Sequence, residues 1–153
     1  MMIVYYALAA VILVIDQITK YVVVNNIDLY EVKEVIPGIL SWMYIRNTGA
    51  AWSILEGQMW FFYIITFAVV IAVIYIMQKY AKGNWLFSLG LSLILAGALG
   101  NFIDRLRLGY VVDMIRLDFM NFPIFNVADM SLSIGVAVII LYVFLDEKNK
   151  KLS

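Results

Sequence analysis

Apolar residues run along this chain in four long stretches, and most polar positions fall between them or near their ends. The first covers about residues 2–26. The second, MWFFYIITFAVVIAVIYIM (59–77), has Thr66 as its side-chain hydrogen-bonder besides its aromatics. The third is uncharged from Gly83 to Ile103, and the fourth from Met130 to Leu145. Nineteen helical residues span ~28 Å, which matches the hydrocarbon core of a bilayer. The pattern therefore predicts a single membrane-embedded domain, 1–153, with four transmembrane helices at about 2–26, 59–77, 84–103 and 128–145. Four such runs in succession argue against a soluble helical core.

Residues 27–58 do not continue the helical pattern. VIPGIL (35–40) carries a Pro-Gly turn signal. In ILSWMYIRN (39–47), Leu40, Trp42 and Tyr44 alternate against Ile39, Ser41 and Met43, which predicts a small sheet lying on the outer membrane surface. The fold class expected is an all-α polytopic membrane protein with a small extracytoplasmic β-rich cradle. Tryptophans at 42, 52, 60 and 85 suit interfacial anchoring.

Polar groups that interrupt the apolar runs carry the functional information. A charge at the centre of a bilayer costs about 2.5–3.5 kcal/mol, so such groups usually face a bundle interior and mark a site. At 100° per residue, Gly90, Gly97, Asn101 and Asp104 fall within about 60° of one another on the third helix. Gly90 and Gly97 are packing positions. Asn101, Asp104 and Arg105 either act directly or buttress a site. On the fourth helix Asn126, Asp129 and Ser133 share a face, although Asn126 or Asp129 alone also reads as a helix cap. Asp16 and Lys20 are spaced i, i+4 in the favourable order for an ion pair, and a structural role leads there. NTGAAW (47–52) is by itself a weak turn signal, in which Gly49 lets backbone approach a ligand or strand.

Composition narrows the chemistry. The chain is 65% hydrophobic with no Cys and no His, and its mean hydropathy is +0.93. That excludes a disulfide framework, a thiol nucleophile, a Ser/His/Asp triad and any zinc site built on His or Cys. A carboxylate-only metal site stays possible in principle, but no metal and no cofactor is expected. Formal net charge is zero, and nothing points to nucleic acid. The N-terminus lacks the basic region of a cleavable signal peptide, so the first span is read as retained.

Lys79 and Lys82 between the second and third spans, with Lys148, Lys150 and Lys151 in the tail, place those segments inside. Both termini are then cytoplasmic, and residues 27–58 and about 104–128 face outward. Arg105, Arg107 and Arg116 run against that rule, but they alternate with Asp104, Asp113 and Asp118 and are expected to pair.

Asp113 and Asp129 lie on separate outer segments. Two carboxylates a few ångströms apart share one proton; the ionised one can take a proton from water while the other donates to a carbonyl oxygen. Sequence separation alone does not show that they meet. A small channel or transporter, or a non-catalytic subunit of a membrane complex, would also carry intramembrane charge. A transporter more often shows paired repeats, and this chain has none.

DQITK (16–20), NTGAAW (47–52), GALGNFIDR (97–105), GYVVDM (109–114) and FNVAD (125–129) occur in an order that closely resembles the lipoprotein signal peptidases, or signal peptidase II. The resemblance covers essentially the whole chain. It implies an intramembrane aspartic endopeptidase with four membrane helices and an outer β-rich cradle. Such enzymes remove the signal peptide of bacterial prolipoproteins before a diacylglyceryl-modified cysteine. By the same resemblance Asp113 and Asp129 are the catalytic pair. Asp16, Lys20, Asn47, Gly97, Asn101, Asp104, Arg105 and Asn126 stand where the family has supporting polar or small residues. The expected partners are lipid-modified signal peptides and membrane lipids, the expected state a monomer, and the location the bacterial cytoplasmic membrane with the site near its outer face. Departures are small: Trp52 stands where Phe is more familiar, and Met130 where Ser is common.

Overall fold

The computed structural model describes residues 2–49 and 57–152. Ala50, Ala51 and Trp52 of the NTGAAW segment, and with them the anchoring role expected of Trp52, lie outside the described residues. Four helices are long and apolar enough to cross a membrane: α1 (Met2–Asn26), α2 (Met59–Tyr80), α3 (Trp85–Leu108) and α4 (Val127–Leu152). Three strands, β1 (Val32–Ile36), β2 (Leu40–Asn47) and β3 (Val111–Leu117), form an antiparallel sheet in the order β1-β2-β3.

Helix α3 is the axis of the bundle. Just over half of its most apolar window is buried, against 17% or less for the other three. Exposed Ile, Val, Leu and Phe side chains on α1, α2 and α4 form the outer surface, as lipid contact requires. In lipid there is little hydrophobic gain from bringing helices together, so close backbone packing has to hold them. Gly97 and Gly100 allow it. A Cβ at Gly97 would strike the Ala128 carbonyl and Leu132 of α4, and one at Gly100 would come within 2.6 Å of Asp16 Oδ2 on α1. Gly90 and Gly135 face one another at the same α3–α4 seam. Asn84 caps the start of α3 by accepting from Phe87 N–H, and Gly109, at φ +76, ends it. Charged residues at the helix ends, such as Lys79 and Arg107, do not end the helix, because a charge there reaches the polar interface.

The sheet departs from the expected alternation. Ser41 and Tyr44, three residues apart, are the buried positions of β2, because the register with β3 shifts between Trp42 and Ile45. A bulge of this kind moves every later side chain to the opposite face. Trp42 packs beside the cluster of Val23, Ile27, Tyr44, Val112 and Met114 that joins the sheet to the C-terminal end of α1, whereas Trp60 and Trp85 are exposed near helix starts. Strand β3 comes from the 104–128 stretch, outside the segment expected to form the sheet. It ties that stretch to residues 40–47 through pairs such as Ile45 with Asp113 and Asn47 with Val111. Of the three arginines expected to pair with nearby aspartates, Arg116 does so, with Asp118 at 3.2 Å. Arg105 instead donates to the Gly49 carbonyl at 3.0 Å.

Candidate active site

The C-terminal end of α3 and the N-terminal end of α4, with β2 and β3, enclose a cavity of about 590 Å³. Asn47, Asn101, Arg105, Asp113 and Asp129 line its polar side, and Phe122, Ile124, Phe125, Leu132 and Ile134 are among its apolar lining. Both candidate carboxylates therefore face one space, although they come from a strand and a helix.

Asn126 joins them. It caps α4: its Oδ1 accepts from Asp129 N–H at 2.9 Å, and its own N–H points back to Asp129 Oδ2 at 3.3 Å. This is a reciprocal capping box, with Asn and Asp in place of Ser and Glu. The cap and the candidate site thus use the same residues, and the cap reading of FNVAD is the one the geometry bears out. The Asn126 amide also donates to Asp113 Oδ1 at 2.6 Å. Asn47 donates to Asp113 Oδ2 at 2.9 Å, and Asn101 to Asp129 Oδ1 at 2.7 Å. Each of the four carboxylate oxygens thus has an amide donor. Neither carboxylate has an ion-pair partner among the described residues.

Lys20 lies behind this layer. It is buried and reaches Asp16 Oδ2 and Asp104 Oδ2, each at 2.9 Å, and Asn101 Oδ1 at 3.1 Å. Its three N–H donors are then used up. Asp16 Oδ1 accepts from Ala128 N–H at 2.8 Å, so α1 supplies a second cap for the first turn of α4. Asp104 Oδ2 also accepts from Val112 N–H at 3.1 Å, next to Asp113. Asp16, Lys20 and Asp104 form a buried frame that fixes Asn101, β3 and α4 relative to one another. Gly97 touches no reacting group and serves the α3–α4 approach.

Gln17, Gly100 and Phe62 belong to the site's support without having stood out in the sequence. Gln17 donates to Asp104 Oδ1 at 3.0 Å. The Arg105 guanidinium lies 4.3 Å from the centroid of the Phe62 ring. The signal that could have found Gly100 is its place three residues after Gly97 on the same helix. Phe62 carries no local signal, since aromatics are common near membrane helix ends, whereas Gln17, an amide inside the first apolar stretch beside Asp16, was such a signal.

Burial pushes the Asp113 carboxyl up to about 7 from its ordinary 3.8; the Asp129 charge adds to this, and the Asn47 and Asn126 amides oppose it. A carboxyl whose folded value lies above its unfolded one stabilises the fold when protonated. That contribution is complete below about pH 4 and is lost as pH rises through about 7. The melting temperature of the wild type should therefore fall between pH 5 and pH 8 relative to that of Asp113→Asn, measured in the same detergent. Parallel pH profiles would show that Asp113 is ionised across this range.

The signal peptidase (SPase) II family profile matches residues 8–145. The lipoprotein signal peptidase of Enterococcus faecalis (strain ATCC 700802 / V583) is 57% identical over 152 residues, covering 99% of this chain and 94% of that protein. The lipoprotein signal peptidase of Listeria monocytogenes serovar 1/2a is 54% identical over 149 residues, covering 96% and 97%. A bacterial membrane enzyme solved by the in meso method at 2.3 Å resolution superposes with a TM-score of 0.93 at 44% identity, covering 96% of this chain and 91% of that one. With its fold and nearly all of its length matched in this way, the chain belongs to the signal peptidase II family and is a multi-pass bacterial membrane protein.

Proposed function

We propose that this protein is an aspartic endopeptidase that removes the signal peptide from diacylglyceryl-modified prolipoproteins, cleaving before the lipidated cysteine. The observation that carries the reading is the convergence of Asp113 and Asp129 on one cavity, joined through Asn126. Two carboxylates on one cavity, Asp113 buried and Asp129 half-buried, with no ion-pair partner among the described residues, share a proton. The ionised one removes a proton from water as the water attacks the scissile carbonyl. The protonated one donates to the carbonyl oxygen as it becomes tetrahedral, and the proton taken from water passes to the leaving amine. Asn47, Asn101 and Asn126 hold the carboxylates through this cycle. Arg105 Nε is buried without an acceptor among the described residues and supplies a donor for the substrate backbone. The wall of Phe122, Phe125, Leu132 and Ile134 accepts apolar substrate flanks. The direct test is purified protein, as a monomer in detergent, against a precursor peptide with and without its diacylglyceryl group. Cleavage of the lipidated form alone is expected. No cleavage of either would overturn the reading.

The site is proposed to open near the outer face of the cytoplasmic membrane, with both termini inside. The chain has no cysteine, so single Cys probes need no background removal. In intact cells a probe at Lys82 should resist an impermeant thiol reagent, and one at Glu31 should react. The reverse pattern would place the cavity on the wrong side for exported substrates.

A further inference from the structure

The sheet has two faces, and the cavity uses one of them. Asn47, Val111 and Asp113 face the cavity. Arg46 pairs with Val112, which with Tyr44 and Met114 packs toward the outer end of α1. Arg46 therefore projects from the face opposite Asp113.

Aromatic groups surround it. Its Nε donates to the Tyr44 hydroxyl at 3.0 Å, and its guanidinium carbon lies 4.9 Å from the Tyr110 ring centroid and 5.8 Å from that of Tyr44. The Tyr44 and Tyr110 hydroxyls are 3.5 Å apart. A third phenol, Tyr30, is near enough to act on the Arg46 charge. Tyr30 holds φ +68, uncommon for a bulky side chain, and is pinned there by its N–H to the Tyr44 carbonyl at 2.8 Å. A strained residue of this kind motivates a hypothesis of function.

Among the described residues Arg46 has no carboxylate partner, and its two terminal nitrogens form no hydrogen bond there. The guanidinium fork is thus oriented by the rings at one edge and open at the other. The open edge matches two oxygens of a phosphate in a bidentate pair. Tyr21, Val22 and Val24 near the C-terminal end of α1, and Leu106 and Leu108 at that of α3, are exposed apolar or aromatic side chains. Tyr and Arg together at that level suit the headgroup layer.

We propose that Arg46, with Tyr44, Tyr110 and Tyr30, binds the phosphodiester headgroup of an anionic phospholipid, whose acyl chains lie along the exposed ends of α1 and α3. The neighbouring residue Asn47 holds Asp113, so the bound lipid steadies the strand that carries the site.

Thermal unfolding of the full chain in neutral detergent micelles doped with phosphatidylglycerol or phosphatidylcholine tests this. Phosphatidylglycerol should raise the wild-type melting temperature by about 5 °C over phosphatidylcholine. Arg46→Gln should lose most of that difference. Arg46→Lys keeps the charge but not the fork and should lose at least half. Equal shifts in wild type and Arg46→Gln would place the lipid elsewhere. A full shift in Arg46→Lys would mean diffuse attraction to the charge and would overturn the bidentate site. Inorganic phosphate at the same concentration should give no shift; a shift as large as that of the lipid would mark a soluble-anion site instead.

Discussion

Asp113→Asn and Asp129→Asn should each abolish cleavage of a lipidated precursor, lowering turnover by about 10⁴-fold or more, the scale seen when one member of a catalytic unit is removed. Asn keeps the shape of Asp and can still accept from Asn47, Asn101 or Asn126, so both variants should fold and insert. It can neither take a proton from water nor share one with the remaining carboxyl. Because the two act as a unit, the double variant should be little worse than either single one. Asp118→Asn is the control. Asp118 follows β3, pairs with Arg116 and accepts from Ser41, and it does not line the cavity, so activity should persist. Near-normal turnover in either catalytic variant would end the aspartic reading while leaving the fold untouched.

Lys20→Met should act mainly through stability. It removes the one cation among the described residues that touches both Asp16 and Asp104 and leaves two carboxylates buried together. Breaking a buried pair from one side costs about 3–5 kcal/mol, enough to lower the melting temperature by about 10 °C and the folded yield with it. Asp16→Asn should be milder, because the amide oxygen can still accept from Ala128 N–H. In both variants the folded fraction should retain measurable turnover. Some loss is expected in Lys20→Met, since Lys20 also holds Asn101, which holds Asp129. Undiminished stability with no turnover would instead bring Asp16 or Lys20 into the chemistry itself.

Much of the support frame was legible because its signals are local. Asp16 and Lys20 sit one helical turn apart, and the ion pair follows from that spacing. Asn126 and Asp129 are three apart, and the cap follows likewise. Strand β3 was not legible, for a physical reason. Its first four residues, Val111 to Met114, are all buried, because the sheet has the C-terminal end of α1 on one face and the cavity on the other. A strand buried on both faces shows no alternation to read. The bulge in β2 was hidden as well, since it depends on how β3 pairs and not on residues 40–47 alone.

The sequence by itself determined the four spans and the short set of residues able to do chemistry. Transfer of a segment into lipid depends on that segment's own composition, and a chain without His or Cys has few acids and bases to offer. Only the tertiary structure decided which of those residues meet. Asp16 caps a helix 112 positions away, and Lys20 reaches Asn101 across 81. Asp113 comes to Asp129 through Asn126 because β3 pairs with β2 while α4 packs on the glycines of α3. Such contacts are set by the closeness with which backbones can approach, a property of pairs of segments that no single segment carries.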